Sequence, residues 1–102
     1  MSFTIVLDKG RANPVFICDY CGKEITDASD GNYGWNEPEG VQHITDVKFL
    51  HKVCSIPYNN KFGTLLFNMG IDNLMVYLLN NLNLTPKRLK EAYRNAETLS
   101  RL

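Results

Sequence analysis

The chain has 102 residues, of which 44% are hydrophobic, and its formal net charge is zero because 11 basic side chains balance 11 acidic ones. This length is typical of one domain, and zero net charge is unfavourable for a protein whose affinity must come from many phosphate contacts. No apolar run reaches the ~20 residues of a membrane-spanning helix, so we expect no membrane association.

The first part of the sequence predicts a β-hairpin. Apolar and polar residues alternate from residue 3 to residue 8, so that Phe3, Ile5 and Leu7 share one face of a strand. Residues 9–14 are typical of a turn, and residues 15–17 predict a second strand that can pair with the first.

Short strand-like segments alternate with turns in the middle of the chain. Residues 26–31 form a polar loop, and Tyr33-Gly34-Trp35 predicts a short strand whose rings belong to the hydrophobic core. Residues 36–40 predict a turn, because Pro38 and Gly40 supply special backbone angles. Residues 41–44 and 47–50 are again strand-like.

The segment from Lys61 onward is rich in leucine and helical in its spacing. Residues 64–69 are apolar and end at Gly70, and Asp72 is the predicted N-cap of a helix that continues to about Leu82. Thr85 and Pro86 predict the N-cap and first residue of another helix. The apolar stripe of that helix contains Leu89, Ala92, Tyr93, Ala96 and Leu99.

Four residues have the spacing of metal ligands, and they include every cysteine of the chain. Cys18-x-x-Cys21 is followed, after 29 residues, by His51-x-x-Cys54. Thiolate sulfur and imidazole nitrogen are zinc ligands, and four protein ligands close a structural site. Gly22 can adopt positive φ, which allows neighbouring N–H groups to point at the sulfurs. We therefore predict one Zn²⁺ ion per chain, bound by Cys18, Cys21, His51 and Cys54.

This block resembles the treble-clef zinc fingers, and within them the first zinc module of a LIM domain. The resemblance extends over about residues 14–58, and its matching segments are Cys18-x-x-Cys21-Gly22-Lys23-Glu24-Ile25 and Phe49-x-His51-x-x-Cys54. It implies a zinc knuckle, a β-hairpin between the two ligand pairs, and a short helix that starts at the second pair. It does not imply a protein partner.

The expected architecture combines these elements in one α+β fold. A zinc-binding β-hairpin module of the treble-clef or zinc-knuckle type occupies residues 1–60. An α-helical extension at residues 61–102 packs on it, so that both parts form one compact domain. Because no basic region precedes the first strand, we expect no secretory signal and a cytoplasmic protein, where paired cysteines more often bind metal than each other.

Other chemistry fits the sequence less well. A thioredoxin-like use of Cys18 and Cys21 needs a helix directly after the motif, and Gly22 interrupts it. His43 is expected to be a surface histidine rather than a further ligand. Four protein ligands leave a zinc ion no open position for substrate, and no acid–base set is recognisable, so we do not expect an enzyme.

Two functions remain open from the sequence. The first is a non-catalytic protein-interaction or regulatory module, whose leucine-rich helices bind a protein partner or a second copy of the chain. The alternative is a small helix-turn-helix-like regulator that binds nucleic acid, because a basic helix follows a short turn. Residues 61–102 contain six basic and three acidic side chains, but Glu91 and Glu97 dilute the basic face of the last helix.

Overall fold

A computed structural model of the protein describes residues 3–98. Six strands form two antiparallel sheets of three strands each: β1 (Phe3–Asp8), β2 (Arg11–Ile17), β3 (Glu24–Ile25), β4 (Gly31–Trp35), β5 (Lys48–His51) and β6 (Phe67–Gly70). Three α-helices complete the fold: α1 (Ser55–Phe62), α2 (Ile71–Asn81) and α3 (Pro86–Thr98). The expected α+β class is therefore confirmed for the described residues.

The first sheet has the order β1-β2-β3, and its first two strands form the expected hairpin. The turn is shorter than predicted, because Lys9 and Gly10 alone reverse the chain with φ values of 51° and 79°. Two residues with positive φ match the twist of the flanking strands, so β2 begins at Arg11 rather than after Pro14. Pro14 lies within β2, opposite Ile5.

The second sheet has the order β5-β4-β6, with β4 in the centre. The prediction of a strand at residues 41–44 was wrong: this segment is irregular, and Val41 N–H instead donates to the Pro38 carbonyl at 3.2 Å. The physical reason is that β5 and β6 already occupy both edges of β4, so the preceding strand has no free edge with which this segment could pair.

Strand β6 was not predicted from the sequence. It is formed by residues 67–70, within the short apolar segment before α2, and it pairs with β4 so that Tyr33 lies opposite Met69 and Trp35 opposite Phe67. The C-terminal segment is therefore not wholly helical. The division into a module at residues 1–60 and an extension at residues 61–102 stays a prediction, although β6 now ties the two segments into one sheet.

The helix starts agree with the sequence at one site and differ at the other. Asp72 is not the N-cap of α2: the cap is Gly70, and the Asp72 carboxylate accepts from the next backbone N–H, that of Asn73, at 2.8 Å. Thr85 does cap α3, because its hydroxyl oxygen accepts from Arg88 N–H at 3.4 Å while Pro86 starts the helix. Leu99 of the predicted stripe lies outside the described residues.

The buried core is small and includes two of the predicted metal ligands. It comprises Cys18, Ile25, Leu50, Cys54, Tyr58 and Ile71. The expectation that Tyr33 and Trp35 belong to the core holds only in part, since both remain half-buried in a row of stacked rings. Any ion held by Cys18 and Cys54 would therefore touch the same side chains that hold the fold together.

Candidate metal centre

The structure brings the four predicted ligands together from separate parts of the chain. Cys18 follows β2, Cys21 lies in the turn after it, His51 ends β5, and Cys54 immediately precedes α1. Their ligand atoms all lie within 4.8 Å of one another. Within residues 3–98 this is the one group of three or more His, Cys, Asp or Glu side chains whose ligand atoms lie close enough together to hold a metal ion.

The arrangement fits a single four-coordinate metal ion. A tetrahedron with ~2.3 Å metal–sulfur bonds has edges of about 3.8 Å between ligand atoms, so small side-chain movements suffice to close the shell. The Cys21 sulfur and His51 Nδ1, for example, are already 3.4 Å apart. All three cysteines are free thiols, so no disulfide competes for the sulfurs.

The turn that carries the first pair depends on Gly22. This residue has φ of 74°, as predicted, and its N–H donates to the Cys18 carbonyl at 3.0 Å. The Cys18 N–H in turn donates to the Lys23 carbonyl at 2.9 Å. These two hydrogen bonds close the turn that carries both cysteines.

The ring of His51 is oriented by a residue that the sequence analysis did not single out. Its Nε2 lies 3.2 Å from the backbone carbonyl of Glu24 in β3. Because a carbonyl oxygen only accepts, this contact places the proton on Nε2 and leaves the lone pair of Nδ1 directed toward Cys21. The first sheet thus selects the imidazole nitrogen that a metal ion would use.

Asp19 was also missed, although it lies between the two cysteines. Its carboxylate Oδ2 accepts from the backbone N–H of Phe49 at 2.7 Å, and its own N–H donates to the Phe49 carbonyl at 2.7 Å. Phe49 lies in β5, two residues before His51. Asp19 therefore fixes the distance between the two ligand pairs, and its position inside the first motif is the only sequence signal of that role.

The protein environment divides the thiols into different protonation states. Burial raises the pKa of Cys18, but the backbone N–H groups of Cys21, His51 and Tyr20 stabilise its thiolate and lower the pKa to about 6. Burial raises the pKa of Cys54 to about 12, and the hydrogen bond and negative charge of Cys18 add to this shift. One sulfur is thus prepared as a thiolate, whereas another needs a cation before it loses its proton.

His43, the second histidine, lies outside this group. It is exposed in the irregular segment between β4 and β5, as expected for a surface histidine, and lines a small cavity with Ile44, Asp46 and Leu65. No helix within residues 3–98 has the length and apolar character needed to cross a bilayer.

Comparisons of this chain with protein-family models, with curated proteins and with solved structures give no match.

Proposed function

We propose that the protein is a non-catalytic zinc module of the treble-clef type, whose C-terminal helices bind a protein partner. The observation that carries the proposal is the group of four ligand atoms within 4.8 Å, two of whose residues lie in the hydrophobic core. Three sulfurs and one imidazole nitrogen favour zinc over magnesium or calcium, which prefer oxygen. A closed set of four ligands supports a structural role rather than catalysis.

Metal analysis of the purified protein tests the zinc site. We expect one zinc ion per chain in the wild type, and less than a tenth of that in a Cys18→Ser, Cys54→Ser double variant. After removal of the metal by a chelator, the near-UV circular dichroism of Trp35 should collapse, because binding energy at a structural site is also folding energy. Unchanged Trp35 signal in the metal-free protein would contradict a structural role.

The proposed partner surface lies on α2 and α3. Within the described residues no side chain of α3 is buried, although Leu89 and Tyr93 form an apolar stripe along it. A groove of about 370 Å³ separates the two helices and is lined by residues that include Val76, Leu84 and Leu89. Exposed apolar surface next to a groove is typical of a binding site for an apolar peptide segment.

Charges at this groove indicate the chemistry of the partner. A second depression of about 470 Å³ adjoins the first and is lined by Leu89 and Tyr93 together with Lys90, Arg94 and Glu97. We therefore propose a partner segment that carries apolar anchors flanked by acidic residues. Peptide arrays that vary these two properties, probed with wild type and with a Leu89→Ser, Tyr93→Ser variant, test this assignment. Equal binding by both proteins would contradict it.

Nucleic-acid binding is the alternative, favoured by the exposed basic residues of α3. Lys87, Arg88, Lys90 and Arg94 lie on a solvent-exposed helix that follows a short turn at residues 82–85. Retention on immobilised duplex DNA distinguishes the two functions, because phosphate binding weakens steeply with salt. Loss of retention between 50 and 200 mM salt would favour nucleic acid, whereas no retention at 50 mM favours the protein partner.

A further inference from the structure

The outer edge of β1 carries unpaired backbone groups. Within residues 3–98, β2 is the only strand that pairs with β1. The two-residue turn makes Asp8 and Arg11 a hydrogen-bonded closing pair, and such pairs alternate with non-hydrogen-bonded pairs along an antiparallel ladder. It follows that the N–H and C=O groups of Phe3, Ile5 and Leu7 point away from β2, toward the free edge.

The same three residues also form an exposed apolar face. Phe3, Ile5 and Leu7 are 50%, 52% and 77% exposed. Their partners on β2 continue this face with further apolar side chains: Phe16, Pro14 and Ala12. The segment from Phe3 to Leu7 contains no charged side chain and no proline, and its register with β2 is unbroken by a bulge. It therefore lacks the features that commonly prevent strand-to-strand association.

We propose that this edge pairs with the same edge of a second copy of the chain, antiparallel and around a two-fold axis at Ile5. A two-fold axis perpendicular to the sheet keeps each face on its own side, so only residues of the same face can oppose each other. With Ile5 opposite its equivalent, Phe3 lies opposite Leu7 of the other copy. By symmetry Leu7 also lies opposite Phe3 of the other copy. The three pairs each exchange two hydrogen bonds, ~6 in all.

This register uses every outward-pointing group between Phe3 and Leu7. Counted over the described residues, an axis at Thr4 or Val6 instead brings only two of the three residues opposite each other, and so forms about two-thirds as many hydrogen bonds. The product is a six-stranded sheet in the order β3-β2-β1-β1-β2-β3 with one continuous apolar face. A second copy therefore fits this edge better than an arbitrary strand, because the edge is complementary to itself.

The size of the contact predicts a weak dimer. If the full accessible surface of a large apolar residue is about 170 Å², Phe3, Ile5 and Leu7 together expose roughly 300 Å² per copy. Even with the backbone included, the contact lies at or below the low end of specific interfaces. We therefore expect association at tens to hundreds of micromolar. This contact is separate from the proposed partner surface on α2 and α3, so either proposal can fail without the other.

Sedimentation equilibrium of the metal-loaded full chain over a concentration series tests the proposal. The average mass of the wild type should rise from 11.6 kDa toward about twice that value. Ile5→Lys and Ile5→Glu should each stay monomeric, because like charges would lie opposite each other at the axis. An equal mixture of the two variants should regain the dimer, because opposite charges would then meet there.

Two control variants identify the surface. Ile56→Lys in α1 and Leu82→Lys after α2 replace apolar residues that are even more exposed than Ile5, at 72% each, and should dimerise like the wild type. If the Ile5 variants lose the Trp35 circular dichroism signal, Leu7→Lys replaces them and should also be monomeric. A wild type that stays monomeric, a mixture that does not dimerise, or a dimer abolished by Leu82→Lys would each overturn the proposal.

Discussion

Asp19 and Phe49 are joined by two hydrogen bonds, each 2.7 Å long, one from each backbone N–H. One bond ends on the Asp19 carboxylate and the other on the Phe49 carbonyl. Together they hold the turn of the first ligand pair against the strand that carries His51. A charged acceptor that bonds to a partly buried N–H makes a stronger contact than a neutral one.

Replacement of Asp19 should therefore weaken metal binding although Asp19 is not a ligand. We expect Asp19→Ala to lower zinc affinity about 10- to 100-fold, the usual effect of losing a group that orients ligands. Asp19→Asn keeps an acceptor oxygen and should lose less. Competition with a chromophoric chelator measures both values. Asp30→Ala, which removes an exposed acid outside the candidate site, is the control, and equal losses for Ala at both positions would contradict this role.

Loss of a single ligand should destabilise the whole N-terminal part of the chain. Cys54 is both a proposed ligand and a core residue, so Cys54→Ser should remove metal-binding energy and apolar contacts together. We expect the cooperative thermal transition of Trp35 to disappear, while far-UV circular dichroism keeps part of the helical signal of α2 and α3. Val53→Ser changes the largely exposed neighbouring residue and should leave the transition within a few degrees of wild type.

Gly22 is expected to be sensitive for a purely conformational reason. A Cβ atom at this position meets nothing within 4 Å, yet the residue has φ of 74°. Gly22→Ala should therefore cost about 1–2 kcal/mol of unfolding free energy from backbone strain alone. Gly22→Asn should cost less, because asparagine tolerates this conformation better. Denaturant unfolding of the metal-loaded proteins measures the order, and an Asn variant less stable than the Ala variant would contradict it.

Metal uptake should release protons in a pH-dependent number. The pKa of Cys18 is lowered to about 6, so this thiol is ionised at pH 8 and protonated at pH 5. The pKa of Cys54 is raised to about 12, so it carries a proton at both values. Because metal ligands must be thiolates, these two groups release about one proton at pH 8 and about two at pH 5.

Affinity should accordingly fall as the pH decreases, and more steeply below about pH 6, where a proton also competes with the metal ion for the Cys18 sulfur. Titration calorimetry in buffers of different ionisation enthalpy gives the number of protons released. That number should rise by about one between pH 8 and pH 5, and a constant number across this range would show that Cys18 is not pre-ionised.

The grouping of Cys18, Cys21, His51 and Cys54 could be predicted because its signal in the sequence is local. Each Cys/His pair has two intervening residues, and this spacing alone indicates a metal site. Two adjacent residues, Thr85 and Pro86, likewise indicate the start of a helix. Strand β6 could not be predicted, because residues 67–70 become a strand only through pairing with β4. Glu24 acts on His51 through a carbonyl group, which every residue possesses, so its side chain gives no indication of that role.

The position of Ile71 in the core determines how much of the chain is needed for folding. Ile71 is the first residue of α2, and its Cδ1 would lie 2.6 Å from a Cβ placed on Gly31, so the two segments are in close contact. During synthesis all four proposed metal ligands emerge before this contact can form. A fragment that ends at residue 60 would lack both β6 and Ile71, and the shortest self-sufficient fragment should extend through α2 to Asn81.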